Sequence, residues 1–124
     1  MATFSEVLAR VKSEIREVSV DETKQLSVGT TGPVLIDVRE RDEYEQGYIT
    51  GAQWIPRGFL EIKVEDAVSD RDQEIIIYCA GGTRSALAAK SLLELGYTNV
   101  ASMAGGFRAW KNAGGVVERV GDVG

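Results

Sequence analysis

The chain has 124 residues, 44% of them hydrophobic and 27% charged, and a net charge of -5, the profile of one soluble domain that builds its core without disulfide or metal staples. An acidic surface repels phosphate backbones, which argues against nucleic acid as a partner. One cysteine and no histidine exclude an intramolecular disulfide, a metal site of the Cys/His type, and any Cys-His or Ser-His-Asp machinery.

No apolar run nears the roughly 18 residues that a membrane span needs. The start, Met1-Ala2-Thr3-Phe4-Ser5-Glu6, lacks the basic and apolar blocks of a signal peptide. The expected location is cytoplasmic, with no membrane partner.

Phe4, Val7, Leu8, Val11 and Ile15 follow helical spacing and predict an N-terminal amphipathic helix over residues 1–15, which packs on the domain or docks a partner. Ser19 with Glu22 forms a capping box that opens a short helix toward Leu26. Gly29 to Pro33 reads as a turn-rich break. Val34 to Val38 is a short apolar run, a buried strand. A short helix over Asp42–Gln46 stops at Gly47, and Ala52–Ile55 is a strand closed by Pro56. Residues 57–68 fit a helix loosely through Leu60, Val64 and Ala67 or Val68.

Glu74 to Cys79 is the clearest buried strand, and Thr83 to Leu95 the clearest helix, ended by Gly96. Asn99–Met103 is a strand, followed by Gly105-Gly106 and a helix over Phe107–Ala113. The tail, 114–124, is poorly specified. Strands that alternate with helices predict an α/β fold with a central, mostly parallel sheet and helices on both faces.

Cys79 stands at the carboxyl end of the strongest strand, where open α/β sheets bind ligands. Alone, a cysteine in an apolar strand is usually a small buried residue. Here the loop Cys79-Ala80-Gly81-Gly82-Thr83-Arg84-Ser85 joins that strand to a helix start. Its small residues let backbone N–H groups turn inward into an anion nest. The helix N-terminus adds partial positive charge and Arg84 a full one. Each favours thiolate over thiol, and the same cradle suits a persulfide anion or an anionic sulfur donor.

Several segments together resemble the rhodanese family of sulfurtransferases. Asp37-Val38-Arg39-Glu40, Glu43-Tyr44 and Gly47-Tyr48-Ile49-Thr50-Gly51-Ala52 look like its first signature, and Tyr78-Cys79 through Arg84-Ser85 like its active-site loop. Gly96-Tyr97-Thr98-Asn99-Val100 and Gly105-Gly106-Phe107-Arg108-Ala109-Trp110 look like its closing signature. The resemblance spans roughly residues 16–113. It departs at Tyr48 and Thr50, where the family usually carries histidine and proline. It implies a five-stranded parallel sheet, a persulfide on a catalytic Cys79, and substrate held by Ala80, Gly81, Gly82, Thr83, Arg84 and Ser85. It implies no cofactor.

The absent imidazole fits that chemistry: sulfite leaves thiosulfate as a stable anion and needs no proton. The partners implied are a small anionic sulfur donor and a thiol or cyanide acceptor. Ile55-Pro56-Arg57-Gly58-Phe59-Leu60-Glu61 is similar to a stretch of rhodanese domains near adenylyltransferases that sulfurate carrier proteins, which suggests a sulfur-relay protein partner. Related phosphatases place five residues between cysteine and arginine. Four separate Cys79 from Arg84, a tighter cradle suited to one sulfur. The alternative to an enzyme is a rhodanese-fold binding or regulatory module.

Among other residues, Arg57 follows Pro56 at a strand end and is a candidate contact for an anionic substrate. Asp37 and Arg39 read as a structural pair, and Trp54 and Trp110 as core or rim.

Overall fold

The computed structural model describes residues 1–27 and 31–121; of the turn expected at 29–33, Gly29 and Thr30 lie outside that range. Helix α1 spans Phe4–Glu14 and is capped by the Thr3 hydroxyl, which accepts from the Glu6 N–H. It packs on the helix of residues 83–94, with Val11 buried and Glu14 paired to Lys90 at 2.5 Å. One face of this helix thus packs on the domain, while Phe4 stays exposed.

Strand β1, Arg16–Val18, follows, then α2, Val20–Leu26, whose capping box joins Ser19 and Glu22 reciprocally as the spacing predicts. Next come β2 (Val34–Asp37), α3 (Arg41–Glu45), β3 (Tyr48–Ile49) and β4 (Gln53–Trp54). A 3-10 turn over Arg57–Phe59 leads into α4 (Leu60–Ala67), so the loosely patterned 57–68 segment is helical. Then come β5 (Ile75–Tyr78), α5 (Thr83–Glu94), β6 (Val100–Met103), α6 (Gly106–Asn112) and β7 (Val117–Glu118).

Five strands form one sheet in the order β1-β6-β5-β2-β4, and every neighbouring pair is parallel. The class predicted from the alternation of elements is thus observed. β5 lies in the middle and is buried on both faces, which is why it reads as an unbroken apolar run. Along it the side chains alternate. Ile75, Ile77 and Cys79 join Leu60, Val64, Ala88, Ala89 and Leu92 under α4 and α5. Ile76 and Tyr78 join Val20, Met103 and Trp110 under α2 and α6.

Two features escaped the sequence pattern. β1 forms an edge of the main sheet beside β6. The described part of the tail, to Gly121, also holds a strand: β7 pairs antiparallel with β3, with Tyr48 opposite Glu118 and Ile49 opposite Val117; residues 122–124 lie outside the described range. Tyr48 replaces the family's histidine, and its hydroxyl donates to the Glu118 carboxylate at 3.1 Å. Its ring stacks on Tyr44, which stacks on Trp54. The departure therefore serves to fasten the C-terminal strand. Among the described residues, no helix is long and apolar enough to cross a membrane.

Candidate active site

Parallel strands place all their carboxyl ends on one edge of the sheet, and Cys79 emerges at the centre of that edge, directly after β5. Its side chain is 1% exposed. The chain then turns sharply through Gly82, whose φ of 107° lies in the left-handed region, and enters α5. This turn folds the helix start back over the sulfur. The Gly82 N–H donates to Sγ at 3.1 Å and the Ser85 N–H at 3.4 Å, and the Ser85 Oγ lies 3.5 Å from Sγ.

The opposite side of the loop is held by α6. The Phe107 N–H donates to the Cys79 carbonyl at 2.8 Å, and the Arg108 N–H to the Ala80 carbonyl at 3.2 Å. A trans peptide points its C=O and N–H in opposite directions. Tying those two carbonyls to α6 therefore turns the N–H groups of Ala80 and Gly81 away from α6, toward the interior of the loop. The approach is close enough to require glycine at 106. A Cβ there would stand 2.5 Å from the Cys79 carbonyl oxygen and 2.6 Å from that of Ala80, and φ is 60°.

Burial pushes the Cys79 thiol up, but hydrogen bonds from the Ser85 hydroxyl and from the Ser85, Gly82 and Gly81 N–H groups outweigh it. The net shift is below the ordinary cysteine value. The site is an anion nest around sulfur, built from backbone.

The charged residues are arranged differently from the expectation. Arg84 sits in the first turn of α5 near the thiol, but both of its terminal nitrogens bind Glu43 of α3, at 2.8 and 3.0 Å. That guanidinium holds the Glu43 carboxyl down to about 2. The full positive charge expected of Arg84 is therefore largely cancelled at the loop. Arg57 is turned elsewhere: it binds Glu61 with both carboxylate oxygens at 2.9 Å and lies 3.4 Å from the Ser91 hydroxyl. Ser91 is six residues beyond Ser85 on α5, about 9 Å along its axis. Four-residue spacing gives Arg57 a carboxylate of its own. Thr83 is exposed at the start of α5.

Asp37 and Arg39 form the structural pair expected of them. The Arg39 Nε and Nη2 donate to Asp37 at 2.7–3.2 Å, and Nη2 also donates to the Gly47 carbonyl. Tyr78 donates its hydroxyl proton to Asp37 and accepts the Ile49 N–H. This network sits under the loop from the α6 side, with Phe107 against the guanidinium.

Three residues were not singled out by the sequence. Ser102, on β6 beneath α5, shares a 2.8 Å hydrogen bond with the Ser85 hydroxyl. Arg108 and Lys111 line, with Ala80, Phe107 and Asn112, a pocket of about 230 Å³ beside the loop. Among the described residues neither cation is ion-paired to a carboxylate. Their one sequence signal is an i,i+3 pair of cations, Arg108 inside the closing signature and Lys111 directly after it.

The model of the rhodanese-like domain matches residues 19–113. The chain belongs to the rhodanese-like family. A sulfurtransferase of Allochromatium vinosum is 32% identical over 100 residues, covering 81% of this chain and 92% of the relative. The thiosulfate sulfurtransferase GlpE of Coxiella burnetii is 36% identical over 78 residues, 63% of this chain and 71% of that one. Among solved structures, a Rhodopseudomonas palustris protein described as of unknown function and a possible tyrosine phosphatase superposes with a TM-score of 0.87. It is 33% identical and covers 95% of this chain and 96% of that one. One buried cysteine thus lies in a rhodanese-like domain that covers most of the chain.

Proposed function

We propose that the protein is a single-domain sulfurtransferase that carries sulfane sulfur as a persulfide on Cys79. The observation behind this reading is the inward-turned loop, in which the Gly82 and Ser85 N–H groups converge on one sulfur atom. The Cys79 thiolate attacks the outer sulfur of thiosulfate, or of a persulfide or polysulfide. A C–S–S– persulfide anion forms, the donor's S–S bond breaks, and sulfite, a thiolate or a polysulfide one sulfur shorter departs with the electron pair. A thiophilic acceptor, cyanide or a thiol, then takes the terminal sulfur, and the Cys79 thiolate is the leaving group. No step needs an imidazole. The nest holds negative charge in both enzyme forms.

Ala80, Gly81, Gly82, Thr83, Arg84 and Ser85 surround the transferring sulfur in this reading. Arg108 and Lys111 add positive charge beside Ala80 for an anionic donor. The thiosulfate sulfurtransferase relative supports thiosulfate as a donor class. The segment Ile55–Glu61 suggests a relay protein as acceptor. A phosphatase reading is disfavoured by the four-residue gap between Cys79 and Arg84, and by an arginine already occupied by Glu43.

Incubation with thiosulfate followed by intact mass spectrometry tests the reading. One added sulfur, removed by cyanide and absent in Cys79→Ser, is expected. No adduct with thiosulfate, polysulfide or a low-molecular-weight persulfide would leave the fold as a binding module instead.

A further inference from the structure

The geometry points to Ser102 as a positioning residue for the Cys79 nucleophile, acting through the hydroxyl of Ser85. The inference rests on the reading of Cys79 as the sulfur-carrying nucleophile.

Ser102 lies in the middle of β6, opposite Ile77 of β5. Its neighbours Ala101 and Met103 face α2 and α6, so alternation turns Ser102 to the α5 face, the side that carries Ile77 and Cys79. Every other β5 and β6 side chain on that face is apolar or the cysteine. A hydroxyl there is 0% exposed and is costly unless bonded. Its one hydrogen-bond partner among the described residues is Ser85 Oγ, at 2.8 Å. Ser85 is also 0% exposed, and its other side-chain partner is the sulfur, at 3.5 Å.

Proton counting gives this chain a direction. Two contacts link the three groups: Sγ to Ser85, and Ser85 to Ser102. With a thiol there are three protons for two contacts, and one is stranded in the core. With a thiolate there are two, and both are used: Ser102 donates to Ser85, and Ser85 donates to sulfur. The same holds for the persulfide, whose inner sulfur carries no proton. If Ser85 instead donated to Ser102, the Ser102 proton would have no acceptor. Ser102 therefore aims the Ser85 proton at Sγ, and its own donation polarises that O–H.

Charged groups also face the thiol. Arg84 of α5 stands near it, compensated by Glu43 of α3 and near Glu40. Arg108 of α6 brings its guanidinium to 3.4 Å from where a Gly81 Cβ would lie. These groups are the same in the wild type and in a Ser102 variant, so they do not confound the comparison.

The test is the pH profile of Cys79 alkylation by iodoacetamide, which needs no sulfur donor. It reads the hydrogen-bond chain whether or not the protein moves sulfur, and the persulfide mass reads the function separately. Ser102→Ala is expected to raise the alkylation midpoint, lowering the rate about fivefold on the acid side, on the scale of one ordinary hydrogen bond, because Ser102 reaches the sulfur only through Ser85. Ser85→Ala should raise it as well. In the Ser85→Ala background, Ser102→Ala should add nothing, because the connection is already cut. An unchanged midpoint in Ser102→Ala would overturn the inference, and so would an equal shift with and without Ser85. If Ser102→Ala lost its cooperative melt, Ser102→Thr against Ser102→Val would carry the same comparison at nearly constant shape. Thr should keep the wild-type midpoint and Val should raise it; equal midpoints would overturn the inference.

Discussion

Arg84 gives both of its terminal nitrogens to Glu43, forty-one residues upstream, at 2.8 and 3.0 Å. A cation placed beside the cysteine loop is thereby held by a carboxylate. Glu43→Gln should free it and lower the KM for thiosulfate by about threefold to tenfold, as expected for one partly exposed charge. Arg84→Ala should raise that KM and leave the melt near wild type. Steady-state kinetics with thiosulfate and cyanide check both. A KM unmoved in either variant would make the pair purely structural.

The nest predicts pH behaviour with a definite sign. The Cys79 thiol is held below its ordinary value in the folded protein, so the unfolded chain binds the extra proton between the two values. Stability then rises with pH across that window and is lost as pH falls through the folded value. Urea melts from pH 6 to 9 should show this rise in the wild type, and Cys79→Ser should flatten it.

Gly106 of α6 packs against the Cys79 and Ala80 carbonyls of the cysteine loop. Gly106→Ala should place a methyl against two carbonyl oxygens and force a left-handed φ on alanine. A loss of at least ~2 kcal/mol is expected, combining that conformational penalty with displacement of the helix. Because α6 orients the loop carbonyls, sulfur loading should fall even in the fraction that remains folded. Circular dichroism melts beside intact mass spectra separate the two effects.

Asp37 and Arg39 are almost wholly buried, at 0% and 3% exposure. Burial works against the Arg39 charge, and Asp37 more than restores it. Asp37→Ala leaves the buried guanidinium without its carboxylate and the Tyr78 hydroxyl proton without its acceptor, so the expected cost is about 3–5 kcal/mol by denaturant melts. A loss below 1 kcal/mol would show that Arg39 finds another acceptor.

The C-terminal strand is a removable clasp. Among the described residues β7 pairs only with β3, and the Trp110 indole donates to the Val116 carbonyl at 3.0 Å. Truncation after Gly115 should expose the Trp110 ring, red-shift its fluorescence and cost about 1–2 kcal/mol through lost burial and the lost Trp110–Val116, Tyr48–Glu118 and β3–β7 hydrogen bonds, all near the surface. The Cys79 adduct should still form, since none of its hydrogen-bond donors comes from that strand.

The central part of the fold was legible because its signals are local. β5 is apolar throughout and α5 has a long periodic face. The glycines between them permit the turn that leads from one to the other. Short elements were less legible. β1 has two exposed residues out of three, and β3 and β7 have two residues each, too few for any period to register. Ser102 hid inside an apolar strand, where a small hydroxyl residue barely changes the pattern.

The amino-acid sequence by itself determined the alternating α/β class, the single cysteine at a strand end and the absence of an imidazole base, because these depend on composition and short-range periodicity. Tertiary structure alone decided what surrounds that cysteine. Glu43 cancels Arg84, Glu61 occupies Arg57, Ser102 meets Ser85, and α6 turns the loop's carbonyls outward. Each of these joins elements that are brought together by the sheet order or the helix packing. Hydrogen bonds and ion pairs act over about 3 Å, so such partners are specified by how the strands and helices pack and leave no local pattern along the chain.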